Sequence, residues 1–276
     1  MTHLLRIDCP DRKGLIYDVT RVLFSHGLNI ITNDEFVDNK LNHFFMRAEV
    51  EGEVESDQIV QELYTVLPVG VNIQLVPQQK KNIVILVTKE HHCLGDLLLR
   101  YEYNDLQANI LAVIGNYQVL ESLVARFSIP FHYISHEGKT REEHDAEIAE
   151  VVQSYQPEYI VLAKYMRVLS PAFVSQFPGR IINIHHSFLP AFIGANPYKQ
   201  AYERGVKIIG ATAHFVSNEL DEGPIIAQNV IQVNHSHSAN SMAQSGRDVE
   251  KIVLAQALKL VFADKVFVSG NKTIIF

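Results

Sequence analysis

Residues 180–190 read RIINIHHSFLP, and this stretch decides which fold the larger part of the chain adopts. Its apolar start predicts a buried strand, which the segment SFLP ends as a turn. Because side chains alternate along a strand, Asn183 and His185 point to the same face. Open α/β sheets bind ligands at the carboxyl ends of their strands. The stretch therefore predicts a buried strand that carries an amide and an imidazole at a ligand-binding edge.

Asn183 and His185 together suit an attack on a carbonyl carbon. A fixed carboxamide can donate a hydrogen bond to a developing oxyanion, and an imidazole beside it can transfer a proton. Downstream, Asp221 lies in a polar turn between two apolar runs, where a carboxylate can orient a water molecule or an imidazolium. Each residue also has a plainer interpretation. The pair could cap a strand end, and Asp221 could be a turn residue with local backbone bonds.

Strands alternate with helices over the rest of this region. The predicted strands are residues 83–87, 108–114 and 159–163. The predicted helices are residues 94–101, 117–127, 142–155 and 238–262, the last with a break near Gly246. Apolar runs separated by helical periodicity are typical of α/β folds. We therefore expect a mostly parallel, Rossmann-like sheet.

The N-terminal part of the chain follows a different pattern. The predicted strands are residues 4–8, 28–37, 41–50 and 70–76, and the predicted helices are residues 15–26 and 56–67, with Ser56 as a cap. The order βαββαβ is that of a ferredoxin-like unit. Residues 77–82, PQQKKN, are polar and predict a linker. We expect one domain over residues 1–79 and a second over residues 80–276.

The composition excludes several classes of protein. The chain has 276 residues, of which 47% are hydrophobic, so it can bury two cores. A net charge of -7 without a basic block argues against nucleic acid as a partner. The sequence has no signal-peptide pattern and no apolar run near the roughly 18 residues of a membrane helix, which argues against a membrane partner. Two distant cysteines, Cys9 and Cys93, fit a reducing cytoplasm, where we expect the protein to reside.

Cys93 follows His91 and His92, and the three could contribute to a metal site. No further ligands complete a set in the sequence. The preferred interpretation is a helix start that packs a small thiol. We therefore expect no metal here.

The order of the motifs resembles a known family. Asn-x-His followed by Ser-x-Leu-Pro, with Asp-x-Gly-Pro-Ile downstream, is similar to the 10-formyltetrahydrofolate-dependent formyltransferase and hydrolase superfamily. Residues 166–171, MRVLSP, match its folate loop, and the resemblance covers about residues 82–276. Within the superfamily, residues 186–198, HSFLPAFIGANPY, are similar to the deformylase version of the motif.

This resemblance implies a site and a reaction. The implied catalytic residues are Asn183, His185 and Asp221. The implied folate-binding residues are Met166, Arg167, Val168, Leu169 and Val216. Water would attack the formyl carbon of 10-formyltetrahydrofolate and release formate and tetrahydrofolate. The reaction would supply formate for purine synthesis and balance the one-carbon folate pool. No metal or redox cofactor is needed for this chemistry.

Two other functions remain open from the sequence. Formyl transfer would use the same catalytic residues, but the glycinamide ribonucleotide enzymes have a glycine-rich phosphate loop after the first strand. Here residues 87–95 read VTKEHHCLG, a poor phosphate cradle. The methionyl-tRNA enzyme carries an extra C-terminal domain, whereas this chain ends soon after residue 262. The third function is a non-enzymatic amino-acid sensor, against which the intact Asn183, His185 and Asp221 argue.

The N-terminal unit resembles an ACT domain. The resemblance rests on its βαββαβ order, on the segment CPDRKGL at residues 9–15, and on Asn29 after the first helix. The resemblance implies a small amino acid as effector, bound by Gly14, Leu15 and Asn29, and a homo-oligomer, a dimer or a tetramer. The alternative is that the unit serves only as an assembly surface.

Overall fold

The computed structural model describes residues 2–191 and 197–276, which fold into two compact units. One unit comprises the chain up to Gln79 together with Ile275 and Phe276. The other runs from Lys80 to Ile274.

The first unit is an antiparallel sheet with two helices. Its elements are β1 (Thr2–Pro10), α1 (Leu15–Ser25), β2 (Asn29–Asp38), β3 (His43–Glu51), α2 (Ser56–Val66) and β4 (Asn72–Pro77). The strands lie in the order β2-β3-β1-β4, and their pairings are antiparallel. The predicted ferredoxin-like βαββαβ order is therefore confirmed.

The core of this unit follows from the two periodicities of its sequence. Leu15, Val19 and Val22 recur at helical spacing on α1 and are fully or nearly fully buried. Leu5 and Ile7 alternate along β1 and join the same apolar cluster. The helices therefore cover one face of the sheet.

The second unit contains the remaining elements, except for the last residue of the final strand, Ile275, which belongs to the first unit. They are β5 (Lys81–Val87), α3 (His92–Glu102), β6 (Ala108–Gly115), α4 (Glu121–Val124), β7 (Phe131–Tyr133), α5 (Arg141–Tyr155), β8 (Tyr159–Leu162), α6 (Pro171–Gln176), β9 (Ile181–His185), α7 (Pro197–Arg204), β10 (Ile208–Phe215), β11 (Ile225–Gln232), α8 (Ala239–Phe262), β12 (Val266–Ser269) and β13 (Lys272–Ile275).

A seven-stranded sheet organises this unit, in the order β11-β10-β9-β8-β5-β6-β7. The strands from β9 to β7 pair in parallel, and β10 and β11 are antiparallel. The mostly parallel sheet is therefore confirmed. The carboxyl ends of the adjacent strands β9, β8 and β5 consequently meet at one edge, which is where such sheets bind ligands.

Both faces of the sheet are covered by helices. Ile83 and Ile85 of β5 face an apolar cluster that includes residues of α3 and α8. Val84 and Leu86 face a second cluster that includes residues of α5 and α6. Continuous apolar strands are typical of parallel sheets buried on both sides.

Several predicted elements were wrong in detail. The helix predicted over residues 117–127 is only the short α4, flanked by 3₁₀ turns at Gln118–Leu120 and Ala125–Phe127. The short strand β7 was not predicted. Ser56 is the first helical residue of α2, and Glu55 occupies the cap position. The break expected near Gly246 does not occur: α8 is continuous from Ala239 to Phe262, and the glycine instead leaves room for the ring of Tyr198.

Among the described residues, no helix combines the length and the apolar character needed to cross a membrane.

The turn between β10 and β11 requires a glycine at position 223. A Cβ on Gly223 would overlap the backbone oxygen of Phe215. The Phe215 N–H donates to the Pro224 carbonyl at 2.9 Å, so this backbone cannot move cheaply. We predict that Gly223→Ala lowers the free energy of unfolding by about 1–3 kcal/mol, as overpacking does. Urea denaturation measures the change.

Gly95 provides the matched control. It lies within α3, and a Cβ there would meet no atom within 4 Å. Gly95→Ala should raise the free energy of unfolding by about 0.5–1 kcal/mol, the usual gain in a helix interior. Equal stability of the two variants would contradict the role assigned to Gly223.

Candidate active site

The strands β9 and β10 bring three polar side chains together. Their antiparallel register sets His214 opposite Asn183 and Thr212 opposite His185. His185 is 5% exposed and His214 is 2% exposed. Hydrogen bonding between two neighbouring strands therefore fixes the amide and both imidazoles in one place.

Asp221 approaches this group from the turn between β10 and β11. Its φ of 58° lies in the left-handed region, which Asp tolerates better than most residues. The Asp221 Oδ1 atom lies 3.2 Å from the His185 Nδ1 atom and 3.9 Å from the His214 Nε2 atom. The carboxylate can therefore accept the Nδ1 proton of His185.

The charge state of Asp221 follows from its neighbours. Burial alone would raise its pKa. The hydrogen bond from His185 and the charges that His185, His214 and His186 can carry outweigh burial. The pKa of Asp221 consequently lies below its ordinary value of 3.8, so the group is a carboxylate at neutral pH.

His185 has one nitrogen occupied and one free. Its Nδ1 atom faces Asp221, whereas its buried Nε2 atom has no hydrogen-bond partner among the described residues. Buried polar atoms are nearly always satisfied, so an unsatisfied one in a cleft points to a role toward a ligand. The free Nε2 atom is the group positioned to exchange a proton.

The hydrogen bonds of His214 orient the amide of Asn183. The His214 Nδ1 atom lies 2.9 Å from the Phe215 carbonyl oxygen, which can only accept, so Nδ1 carries a proton. Burial lowers the pKa of His214, which keeps the ring neutral and leaves Nε2 as an acceptor. Nε2 accepts from the Asn183 Nδ2 atom at 3.2 Å. The second Nδ2 proton of Asn183 remains available to a ligand.

His214 was missed as a site residue, because its partner lies on another strand. The pairing of β9 with β10 is not visible in either segment alone. The available signal was the histidine near the end of an apolar run, directly before the turn that carries Asp221.

A cleft of about 330 Å³ opens over these groups. The three predicted catalytic residues and all five predicted folate-binding residues line it. The whole segment 216–221, from Val216 to Asp221, contributes to its lining. The volume falls at the lower end of the range for small-molecule sites, roughly 300–1,000 Å³.

The loop between β8 and α6 forms one wall of the cleft and is held at both ends. The Met166 N–H donates to the Thr88 hydroxyl at 2.9 Å. The Ser170 N–H donates to the buried Asp145 carboxylate at 2.6 Å, and Ser170 caps α6. The loop is therefore preorganised by hydrogen bonds from neighbouring segments.

The segment after β9 is fixed by a similar set of bonds. The Thr212 hydroxyl donates to the Ser187 carbonyl at 2.9 Å and accepts from the Leu189 N–H at 3.0 Å. The Gln228 amide donates to the Leu189 carbonyl at 3.0 Å. These bonds hold the backbone that follows His185.

His186 lies against the imidazole of His185. Its ring stacks on that of His185 with centroids 5.0 Å apart and an interplanar angle of 24°. Burial, followed by the charge of Lys164, lowers the pKa of His186 to about 4. His186 is therefore a neutral ring that packs against His185 at neutral pH.

The predicted effector residues do not form one site within a single chain. Gly14 caps the start of α1 with a φ of 89°, and Leu15 is buried beside it. Asn29 begins β2, after the end of α1, and its amide donates to Glu51 at 2.9 Å. The 11 residues of α1 separate these positions by about 16 Å. A site that contains all three would need two chains.

His92 and Cys93 lie close to a third potential metal ligand in the fold. His92, Cys93 and Glu250 offer ligand atoms within 4.8 Å of one another. The Lys164 ammonium lies 3.0 Å from the Glu250 carboxylate, and burial raises the pKa of the Cys93 thiol. A paired carboxylate and a protonated thiol are poor metal ligands. The cluster fits an internal ion pair better than a metal site.

Comparisons with known proteins identify the family of each unit. Residues 81–258 match the formyl transferase family, and residues 3–67 match the ACT domain family. The chain is 58% identical over 272 residues to formyltetrahydrofolate deformylase of Haemophilus influenzae, covering 99% of this chain and 98% of that protein.

Solved structures extend the comparison to the fold. A formyltetrahydrofolate deformylase from Pseudomonas syringae superimposes with a TM-score of 0.95 at 40% identity, covering 100% of this chain and 94% of that one. Glycinamide ribonucleotide transformylase 1 from Symbiobacterium toebii superimposes with a TM-score of 0.69 at 27% identity, covering 76% of this chain and all of that one. The chain therefore belongs to the formyl transferase family and, within it, to the formyltetrahydrofolate deformylases.

Proposed function

We propose that the protein hydrolyses 10-formyltetrahydrofolate to formate and tetrahydrofolate. The proposal rests on the His185–Asp221 pair. The free Nε2 atom belongs to His185, which lines the same cleft as Asn183. Water adds to the formyl carbon, the bond from that carbon to the folate nitrogen breaks, and the nitrogen takes up a proton. This chemistry calls for an oxyanion donor and a proton carrier, and for no metal or redox cofactor.

Asn183 supplies the oxyanion donor. One Nδ2 proton is used in the bond to His214, and this bond fixes the direction of the second. As water adds, negative charge builds on the formyl oxygen, which accepts from that second proton. Removal of one such donor typically costs about 2.7–4 kcal/mol of transition-state stabilisation.

His185 and Asp221 carry the proton. The charged Asp221 accepts from Nδ1 and stabilises the imidazolium that forms when Nε2 takes the proton of the attacking water. The same nitrogen then returns the proton to the folate nitrogen as the carbon–nitrogen bond breaks. General acid–base catalysis of this kind contributes roughly 10²–10⁴-fold.

The substrate's pterin is proposed to lie between two segments of the cleft wall. One is the loop with Met166, Arg167, Val168 and Leu169, whose backbone groups can bind the ring edge. The other is the segment 216–221. The released formate would supply purine synthesis. The free, buried cysteines Cys9 and Cys93 suit the reducing cytoplasm we propose as its compartment.

The ACT unit is proposed to bind a small amino acid where two chains pair. The first turn of α1, with Gly14 and Leu15, offers backbone amides and a favourable helix dipole to a carboxylate. Asn29 offers an amide from the other end of α1. Because these groups are separated within one chain, we propose that each effector site combines the first turn of one protomer with Asn29 of another. A dimer or a tetramer would satisfy this requirement.

The first prediction tests the reaction and the oxyanion donor together. The wild-type protein should release formate from 10-formyltetrahydrofolate with no added acceptor, measured by formate dehydrogenase coupling. Asn183→Ala should lose about 10²–10³-fold in kcat and keep its KM. Asn109→Ala removes an exposed amide of β6 that pairs with Asn82 and should leave both constants unchanged.

Three outcomes would contradict this proposal. Steady turnover only with an added ribonucleotide or tRNA would indicate a transferase. Folate binding without turnover under any condition would indicate a sensor. A normal kcat in Asn183→Ala would remove the oxyanion role.

The second prediction concerns Asp221→Asn. The variant should fold and lose about 10²-fold or more in kcat with little change in KM, because the carboxylate acts on the imidazole. Glu222→Gln removes an exposed carboxylate from the same turn and should have normal kinetics. A defect of Asp221→Asn confined to KM would instead assign Asp221 to folate binding.

A stability readout accompanies this variant. Because the folded pKa of Asp221 is lowered, its contribution to stability is present above the ordinary value of 3.8 and is lost as pH falls through the lowered value. The difference in unfolding free energy between wild type and Asp221→Asn should therefore shrink below pH 3.8.

The third prediction concerns the effector. In the full-length protein, one small amino acid from a panel should change the kinetics of formate release by roughly 5- to 150-fold, the usual range of allosteric coupling. Asn29→Ala should abolish the response and leave the basal rate unchanged. Asn33→Ala, which removes an exposed amide of β2 bonded to Glu35, should keep the response. Effector-blind kinetics in a protein that stays oligomeric would reduce the unit to an assembly surface.

A further inference from the structure

A fully buried carboxylate lies behind the catalytic residues. Glu250, in α8, is 0% exposed. It accepts hydrogen bonds from the His92 Nε2 atom at 2.7 Å, the Tyr198 hydroxyl at 2.7 Å and the Lys164 ammonium at 3.0 Å. These four residues, Glu250, His92, Lys164 and Tyr198, form what is here called the Glu250 cluster.

The three partners of Glu250 come from three neighbouring segments of the sheet. His92 begins α3, which follows β5. Lys164 lies just after β8, with a left-handed φ of 64°. Tyr198 lies in α7, the first helix after β9. Since β9, β8 and β5 are adjacent and parallel, one carboxylate connects the segments that follow all three carboxyl ends.

A glycine in α8, the helix that contains Glu250, leaves room for the ring of Tyr198. A Cβ on Gly246, one turn before Glu250, would overlap the ring of Tyr198. The glycine therefore allows the ring to pack on the backbone of α8 and its hydroxyl to reach the carboxylate. A glycine is unfavourable in a helix interior, so its presence here reflects the contact.

The Glu250 cluster also borders the histidine pair. The ring of His186 lies between that of Tyr198, at 6.3 Å, and that of His185, at 5.0 Å. The ionisable groups that act on His186 are Lys164, His185, Glu250 and Asp221. The Lys164 charge and the Glu250 charge act on it in opposite directions.

We propose that Glu250 is a positioning residue for hydrolysis. Its carboxylate binds Lys164, just before the folate loop, and Tyr198, in the segment after β9. Through these two residues it holds His186 and the ring of His185 that stacks on it. This inference rests on the proposed function, because the geometry that it protects is that of the catalytic imidazole. A buried charge is tolerated only when it is paired, and Glu250 is paired on three sides. Burial alone would raise its pKa, but His92, Lys164 and Tyr198 lower it to about 2.

Kinetics of three variants test the positioning role. Glu250→Gln keeps the size of the side chain and removes its charge, so we expect kcat to fall on the order of 10²-fold, as small misplacements of catalytic groups do. Tyr198→Phe keeps the ring on Gly246 and loses one bond, so a smaller fall is expected. Asp248→Asn alters an exposed carboxylate of the same helix, paired with Lys251, and should match wild type.

The outcomes of these variants are distinct. A folded Glu250→Gln with kcat within twofold of wild type would overturn the proposal. If Glu250→Gln does not fold, Tyr198→Phe provides the test, because this variant keeps the ion pair between Lys164 and Glu250. A reduced kcat of Tyr198→Phe would support the proposal, and an unchanged kcat would overturn it.

Titration of His186 by NMR separates this inference from the proposed function. Lys164→Met removes a charge that lowers the pKa of His186 and leaves the opposing Glu250 charge in place, so this pKa should rise above about 4. Burial, the larger cause, is unchanged and should keep it below the ordinary 6.5. An unchanged titration would overturn the electrostatic link between the Glu250 cluster and His186. Absence of formate release by the wild-type protein would refute the proposed function, and the titration would still test the cluster.

Discussion

A buried imidazole can carry protons only if one of its nitrogens is held and the other is free. The hydrogen bond between His185 and Asp221 meets this requirement, and much of the second unit serves to make it. The bond needs the register of β9 with β10, the left-handed backbone of Asp221 and the close turn at Gly223. Each of these is a backbone constraint. The chemistry therefore depends on how the chain is folded at least as much as on which side chains it carries.

The cost of burying polar groups explains why the site is so extensively paired. Burying an unpaired charge or amide costs several kcal/mol, and three polar groups at this site are paired accordingly. Asn183 is bonded to His214, Asp221 to His185, and Glu250 to three residues. The Nε2 atom of His185 is a buried exception within the cleft. The Nε2 atom of His185, which the proposed reaction uses, is among the buried polar atoms of the cleft that have no partner in the described residues, as are the Tyr165 hydroxyl and the Arg167 Nε atom.

The sequence predicted those parts of the structure that depend on local pattern. Alternation along one strand was enough to pair Asn183 with His185, and apolar periodicity was enough for the two folds. His214 and Glu250 could not be found in this way. Their partners lie 31 and 158 residues away, and the pairing is decided by strand order and helix docking. Asn29 was grouped with Gly14 by family resemblance, although a helix separates them. The short β7 and the broken helix around α4 carry too few periodic residues for their state to be settled locally.

The late position of α8 in the chain affects how the protein is made. His92 leaves the ribosome 158 residues before Glu250, which is roughly 8–30 seconds at the usual rates of synthesis. During that interval β5 to β11 can be complete while the apolar face that α8 later covers is still bare. Such a surface is what chaperones bind. A ribosome that stalls before this helix would release a chain that contains the residues of the cleft but lacks the helix that covers one face of the sheet.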